Sequence, residues 1–164
     1  MPTSNHKKPL RNLDRTDRRI LKVLQSDGRT SNIELSKRIN LSASSCLERV
    51  KRLESEGFIT GYYAKLNADY LGQHTVAFVE VTLNRSSSQV FDDFRDAIRE
   101  LHQVAECHML AGGFDYLVKL RFPQSESYRE VLGKLVDLPG VAQTHTYMVI
   151  EQVKEDQGIH FSVD

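Results

Sequence analysis

The stretch between Ser31 and Gly57 predicts two short helices joined by a tight turn, and it restricts the fold more than any other part of the chain. Ser31 is followed three residues later by Glu34, the S-x-x-E pattern in which a hydroxyl and a carboxylate satisfy free N–H groups at a helix start. Asn40 tolerates the left-handed conformation found just past a helix end, and Ser42 can cap a second helix. Two helices joined in this way are typical of the helix-turn-helix.

The second of these helices has one apolar stripe, formed by Cys46, Val50 and Leu53, and a polar, basic opposite side. In a helix-turn-helix that opposite side enters the DNA major groove, with the N-terminal residues of the helix at the base edges. The base-edge candidates are Ser44, Ser45, Glu48 and Arg49. The candidates for phosphate contacts are Lys37, Arg38, Ser42, Lys51 and Arg52. An ordinary amphipathic helix pair with a solvated charged face is the alternative interpretation.

Charge is divided between the two halves of the chain. Residues 1–60 contain 13 Lys and Arg against 7 Asp and Glu, a net +6, whereas residues 61–164 contain 9 against 15, a net −6. A basic half that coincides with the helix-turn-helix pattern indicates a surface for nucleic acid. Chance clustering of solvated charges is the alternative.

The segments around the helix pair complete a first domain. Residues 1–12 are basic and contain two prolines, which predicts a flexible arm that either touches the DNA backbone or only aids solubility. Residues 14–25 predict a third helix, so that 13–61 form a winged helix-turn-helix. The expected core consists of Leu13, Ile20, Leu21, Leu24, Leu35, Ile39, Leu47, Val50, Leu53 and Phe58. Residues 58–67 predict a short wing strand or only a linker, and we place the linker region at 62–74.

The apolar periodicity changes after residue 74. Alternating runs at 75–84, 104–110, 116–122 and 141–153 predict strands, and two helical patterns lie between them, with Ser88 and Ser125 as expected caps. The order βαββαβ predicts an α+β, ferredoxin-like domain over 75–154, with both helices on one side of an antiparallel sheet. Residues 155–164 are expected to be a tail. The other side of the sheet needs a cover, and a second copy of the chain would make a symmetric dimer.

Little in the composition indicates a metal, a cofactor or a membrane. The two cysteines, Cys46 and Cys107, lie in different predicted segments, and no run approaches the roughly 20 apolar residues that a membrane helix needs. The beginning of the chain has no apolar core of a secretion signal. We therefore expect a cytoplasmic, nucleoid-associated protein without a cofactor.

Nearly the whole chain resembles the Lrp/AsnC, or feast/famine, family of transcription regulators. The matching stretches are LDRTDRRILKVLQSDGR at 13–29, SNIELSKRINLS at 31–42, CLERVKRLESEGFITGYYAKLN at 46–67, GFDYLVK at 113–119 and LPGVAQTHTYMVIEQVK at 138–154. The resemblance is greatest to the leucine-responsive branch. It implies a winged helix-turn-helix followed by an effector-binding domain, and dimers that assemble into octamers or larger rings with amino-acid effectors bound between dimers.

The resemblance also implies where the effector binds. The family's pocket uses the turn around G-x-F-D-Y and a stretch from a neighbouring dimer. The residues at these positions are Gly112, Gly113, Phe114, Asp115, Tyr116, Leu138, Gly140, Thr144 and Thr146. A glycine turn can offer backbone N–H groups to a carboxylate, and Asp115 can accept from an ammonium group. Taken without the resemblance, Asp115 reads as a turn cap and Tyr116 as a core residue.

The chain departs from the family pattern at three positions that bear on function. Close relatives often have prolines where this chain has Ala43 and Ser45, and an acid where it has Gly113. The first two changes point to a more flexible start of the recognition helix and an altered base preference. The third bears on which effector is bound.

Two other functions compete with a sequence-specific regulator of amino-acid metabolism or uptake genes. Some proteins similar to this family are haem-pathway decarboxylases, and His108 and His145, expected on adjacent strands, would there meet a substrate carboxylate. An architectural protein that bends DNA with weak sequence preference is the other alternative. The ferredoxin-like fold hosts many functions and favours none of the three.

Overall fold

The computed structural model describes residues 13–84, 87–124, 126–155 and 158–163. The basic arm predicted for residues 1–12 lies outside these ranges. The chain divides after Lys65 into two compact units, and the segment beyond Glu155 belongs with the first. No helix within the described ranges is long and apolar enough to cross a membrane.

The first unit contains the three predicted helices. They are α1 (Arg15–Ser26), α2 (Asn32–Ile39) and α3 (Ala43–Ser55). The hydroxyls of Ser31 and Ser42 cap their helices as predicted, because each accepts from the backbone N–H three residues on, at 3.2 Å in both cases. The carboxylate half of the predicted Ser31 box is not formed, because Glu34 pairs with Arg38 instead. Asn40 ends α2 in the left-handed conformation, with φ 58°. Local hydrogen bonding therefore accounts for the turn between α2 and α3.

The core of this unit is small and lies among the three helices. Its buried apolar residues are Ile20, Leu35, Ile39, Cys46 and Leu53, and eight partly buried apolar side chains pack against them. Leu47, which we expected in the core, is instead 42% exposed. It lies at the border of the buried stripe of α3, where the stripe alone does not decide on which side a side chain falls.

Residues 59–67 form neither helix nor strand, so the strand that was one of the two expectations for this segment is not seen there. A strand needs a hydrogen-bonded partner. The only described sheet has four strands, and all of them lie between Thr75 and Met148.

A short C-terminal segment, residues 158–163, contacts α1. The side-chain amide of Gln25 donates to the carbonyl of Ile159 at 3.1 Å, and its oxygen accepts from the Ile159 N–H at 3.0 Å. Arg18 donates to the carbonyl of Ser162 at 3.1 Å. These bonds join residues that are more than 130 positions apart in the sequence.

The second unit has the predicted βαββαβ order. Its elements are β1 (Thr75–Leu83), α4 (Gln89–Ile98), β2 (Val104–Met109), β3 (Tyr116–Phe122), α5 (Tyr128–Val136) and β4 (Val141–Met148). The strands form one antiparallel sheet in the order β2-β3-β1-β4. The expected inward residues of β1, which are Ala77, Val79, Val81 and Leu83, are all buried. Residues of α4 and α5 join them in one core, so both helices lie on the same side of the sheet.

Ser88 begins α4 as expected, but its side chain makes no cap hydrogen bond. β1 and β2 each end one residue earlier than expected, and two further boundaries in this unit differ more. The cap of α5 is Ser127, which forms a reciprocal capping box with Glu130, whereas the expected cap, Ser125, lies outside the described residues. The last strand ends at Met148 rather than at residue 153. Its partner β1 begins at Thr75, and the Val149 N–H makes one further bond to the Val76 carbonyl, so the ladder ends where its partner does.

The face of the sheet opposite the helices, which we call the open face, has no covering layer within the described part of its unit. Cross-strand pairs place Phe78 beside Lys119 and Tyr147, and Glu80 beside Leu117 and His145. Apolar and charged side chains thus alternate across it. The open face is where we expected a second copy of the chain.

Candidate functional site

The second helix of the helix-turn-helix is bound to α1 by charged groups. The carboxylate of Asp17 is 1% exposed; it accepts from Arg49 Nη1 at 2.8 Å and lies 2.6 Å from Arg52 Nη2. Arg49 also donates to Asp14 at 2.6 Å. These bonds fix the orientation of α3 about its own axis, relative to the start of α1. A rotation of α3 would leave the buried Asp17 carboxylate without its partners, which costs free energy.

The same contacts change the pKa values of the groups involved. Hydrogen bonds first to Asp14 and then to Asp17 raise the pKa of Arg49. Desolvation acts to raise the pKa of Asp14, but hydrogen bonds from the Asp17 N–H and from Arg49 outweigh it, and the pKa falls below its ordinary value of 3.8. Both groups are therefore held in their charged forms.

With this setting of α3, one line of side chains faces away from the core. It consists of Ser44, Leu47, Glu48 and Lys51, at the helical spacing i, i+3, i+4, i+7, and we call it the outer stripe. All four residues are exposed. Within the described ranges, the side chains of Glu48 and Lys51 make no hydrogen bond or ion pair with the rest of the chain. The outer stripe is thus available for a partner.

The serines at the start of α3 form a small cap network. The Ser42 hydroxyl, besides accepting from the Ser45 N–H, lies 2.9 Å from the Ser45 hydroxyl and 3.1 Å from the Ser44 hydroxyl. The side-chain amide of Asn32 donates to the Ala43 carbonyl at 2.7 Å, which links α2 to this start. The network orients hydroxyls at the surface while using part of their hydrogen-bonding capacity.

The five basic residues among the predicted DNA-binding residues fall into two groups in the structure. Lys37, Arg38 and Lys51 are exposed, and Arg38 pairs with Glu34 on its own helix. Arg49 and Arg52 instead bind Asp17. The sequence pattern predicts no partner for the acids at the start of α1. The D-x-x-D spacing of Asp14 and Asp17 marks the capping box but gives no sign of the arginine partners 32 and 35 positions away.

The turn between β2 and β3 is held by Asp115, which is 4% exposed. Its carboxylate accepts from the Leu83 N–H at 2.8 Å, next to the irregularity at the end of β1. Its backbone N–H donates to Val81 and its carbonyl accepts from Leu110. Asp115 therefore bonds to the ends of both neighbouring strands.

Tyr116 points into the core rather than toward the turn. Its ring packs on Phe94, with 4.6 Å between centroids, and lies 6.4 Å from Phe91. It is 2% exposed, and its hydroxyl has no hydrogen-bond partner among the described residues. Desolvation raises the pKa of this hydroxyl.

The other predicted effector residues lie at three places in the unit. Gly112 and Gly113 are exposed in the turn, with Phe114 half-buried beside them. Thr144 and Thr146 are half-buried on the helix side of β4, where they pair with Val81 and Val79.

Leu138 and Gly140 form the turn that leads into β4. Leu138 packs on the core. Gly140 has φ 76°, and there is no room for a side chain at this position, because a Cβ there would lie 2.2 Å from Val90 Cγ1. The Gly140 carbonyl accepts from the Asn84 N–H at 2.7 Å. This position requires glycine both for its backbone conformation and for its contact with α4.

His108 and His145 do not lie on adjacent strands, so that expectation was wrong. They are on β2 and β4, the two outer strands of the sheet, with β3 and β1 between them. Three strand spacings separate them by about 14 Å. Sequence order does not give spatial order in a split βαβ fold, and here it placed the two histidines too close together. The described residues contain no group of three or more His, Cys, Asp or Glu that could hold a metal ion.

Family models match both units. The Lrp/AsnC ligand binding domain matches residues 76–159, and a winged helix-turn-helix DNA-binding model matches residues 13–60. The chain is 53% identical over 150 residues to the leucine-responsive regulatory proteins of Klebsiella pneumoniae and of Escherichia coli K12, covering 91% of this chain and 92% of each relative.

Solved structures agree with these matches. A transcriptional regulator from Neisseria meningitidis in complex with L-Met is 34% identical, with a TM-score of 0.84 over 91% of this chain and 97% of that one. A feast or famine regulatory protein from M. tuberculosis complexed with L-methionine is 30% identical, with a TM-score of 0.82 over 90% and 99%. The chain therefore belongs to the Lrp/AsnC family of DNA-binding transcriptional regulators.

Proposed function

We propose that this regulator reads operator DNA in the major groove with the outer stripe of α3. The supporting observation is the pairing of Arg49 and Arg52 with Asp17, which turns Ser44, Glu48 and Lys51 away from the core. A carboxylate at position 48 can accept from the exocyclic amine of cytosine, and serine hydroxyls can bond to either kind of base-edge group.

Phosphate contacts supply most of the affinity in this proposal. Lys37 and Lys51 are exposed, and neither forms an ion pair within the described part of the chain. The net +6 of residues 1–60 favours association with a polyanion and makes binding depend on salt. The protein would act on the chromosome, in the cytoplasm, as a regulator and not as an enzyme.

The effector in our proposal is an amino acid bound by the second unit. Two structurally similar regulators are L-methionine complexes, and the relatives named above are leucine-responsive. The exposed turn at Gly112 and Gly113 offers backbone N–H groups for a carboxylate, and Thr144 and Thr146 offer hydroxyls. Asp115 would neutralise the ammonium group from a position that its bond to Leu83 holds in place.

We further propose that the open face of the sheet is the dimer interface, and that dimers assemble into octamers or larger rings. Phe78 and Leu117 on this face are only half-buried, and an apolar surface of this kind is covered in most folded proteins. Effector binding would change DNA affinity by favouring one assembly over another, since only unequal binding to two states can shift their populations.

The test is a titration of the protein onto DNA from upstream of its own gene, at several salt concentrations and with a panel of amino acids that includes leucine, methionine and glutamate. Retention that resists nonspecific competitor DNA and shifts with one amino acid supports the proposal. Weak, salt-sensitive and effector-blind binding contradicts it and favours an architectural DNA-binding role.

A further inference from the structure

Leu47 is the one apolar side chain of the outer stripe, whose other three residues are polar or charged. It is 42% exposed and lies in the outer stripe, one turn after Ser44 and one turn before Lys51. Single exposed leucines are common on protein surfaces. The position of Leu47 on α3, rather than its exposure alone, therefore indicates a functional role.

The structure prevents Leu47 from turning into the core. Cys46 and Leu53 are fully buried on the inner side of α3, and Arg49 is bound to Asp14 and Asp17. A rotation of the helix that buried Leu47 would have to break these ion pairs and expose the apolar stripe. The outward position of Leu47 is thus maintained by contacts elsewhere on the helix.

We propose that Leu47 contacts the C5-methyl group of a thymine in the major groove and so contributes to the choice of operator sequence. This inference rests on the proposed reading of DNA by the outer stripe. Leu47 is the fifth residue of α3, within the N-terminal part of a recognition helix that reaches base edges. Thymine alone among the four bases presents a methyl group there, and an apolar side chain distinguishes it by burying that methyl group.

The neighbouring groups increase the importance of this contact. The hydroxyls of Ser44 and Ser45 take part in the cap network around Ser42, so part of their hydrogen-bonding capacity is already used. Arg49, the long donor that could otherwise read guanine, is bound to α1. Within this part of α3, discrimination between bases therefore depends on the apolar surface of Leu47 and the carboxylate of Glu48.

The experiment replaces thymines of the bound site with deoxyuridine, one at a time, which removes only the C5-methyl group. The full-length protein, Leu47→Ala and Ile33→Ala are titrated onto each duplex. Ile33 is a matched control, because it is an apolar residue of the same unit that is 63% exposed, but on α2. Circular dichroism melts establish that each variant is folded.

For the unmodified protein we expect about a three- to five-fold loss of affinity at one or two thymines per half-site, the effect of one buried methyl group. Leu47→Ala should bind the unmodified site more weakly and lose no further affinity at those thymines, while Ile33→Ala should keep the pattern of the unmodified protein. The inference is overturned if specific binding is present but no deoxyuridine lowers it, or if Leu47→Ala retains the full pattern. Failure to find any specifically bound duplex would instead contradict the proposed function itself.

Discussion

The Asp17 carboxylate accepts a hydrogen bond from Arg49 at 2.8 Å, so a residue on the expected DNA-reading helix is bound to the first helix of its own unit. Replacing Arg49 with Ala should therefore lower stability as well as DNA binding. We expect Arg49→Ala and Asp17→Asn each to reduce the free energy of unfolding by about 1–3 kcal/mol, because each breaks a charged hydrogen bond at a buried carboxylate. Urea denaturation measures this change.

The salt dependence of DNA binding separates positioning by Arg49 from direct phosphate contact. Loss of a phosphate contact lowers the slope of log affinity against log salt by about one unit, which we expect for Lys51→Ala. Arg49→Ala should weaken binding with the slope unchanged, and Asp17→Asn, which removes no positive charge, should behave in the same way. A reduced slope for Arg49→Ala alone would show that Arg49 contacts DNA directly.

Acid should remove the contribution of Asp14 to the stability of the first unit. The pKa of Asp14 in the folded chain lies below 3.8, so its stabilising effect is complete above that value and is lost as the pH falls through the folded-state pKa. Asp14→Asn keeps a good helix cap but has no charge. The thermal midpoint of the parent should exceed that of Asp14→Asn at pH 6, and the difference should close as the pH falls below 3.8 and through the folded-state pKa. A constant difference across this range would mean that the charge has no role.

Two substitutions at Asp115 distinguish an effector contact from a purely structural bond. Asp115→Asn retains an oxygen that can accept from the Leu83 N–H, whereas Asp115→Ala leaves this buried N–H unsatisfied. We expect Asp115→Ala to lower the free energy of unfolding of the unit by about 1–3 kcal/mol, and Asp115→Asn to lower it much less. If the carboxylate charge binds the ammonium group of the effector, Asn should nevertheless blunt the effector response in a DNA titration. An unaltered response in Asn would limit Asp115 to holding the turn.

Gly140→Ala should destabilise the second unit by about 2–4 kcal/mol, from the positive φ and from the overlap of the new Cβ with Val90. Adding Val90→Ala should recover only the part due to the overlap, because the backbone strain remains. Gly133→Ala is the control: it lies within α5 and has nothing within 4 Å of its Cβ position, so it should be neutral or slightly stabilising. Urea denaturation compares the three variants.

A charge on the open face should reduce self-association. Phe78→Glu places an acid between Lys119 and Tyr147 in the middle of the proposed interface. We expect its sedimentation coefficient to fall toward that of a single chain, while Arg99→Glu, on the exposed end of α4, should leave the assembly unchanged. If both variants form an assembly of the same size, the interface lies on another surface and the proposal is wrong.

Features that depend on a few neighbouring residues could be predicted from the sequence. Ser31, Asn40 and Ser42 bound their helices as expected, because the hydrogen bonds involved join residues only a few positions apart. Alternation in β1 predicted the correct buried face, since Ala77, Val79, Val81 and Leu83 lie on one side of that strand and are all apolar.

Features that depend on partners far away in the chain could not be predicted from the sequence. Leu47 lies roughly 90° from the centre of the buried stripe of α3, and only the positions of α1 and α2 decide whether such a residue is covered. The partners of Arg49 are 32 and 35 positions away, and the end of β4 depends on where β1 begins. The nine predicted effector residues remain a prediction, because the sequence supplied their positions only through the family resemblance.

The bonds between Gln25 and Ile159 make the DNA-binding unit discontinuous along the chain. During synthesis, α1 leaves the ribosome long before its partner segment does, and the whole of the second unit is made in between. A nascent chain can therefore fold the three helices early, but it cannot form these bonds until the ribosome has passed residue 159. An isolated fragment of residues 13–65 would lack them permanently, and it would represent the nascent DNA-binding unit rather than the finished one.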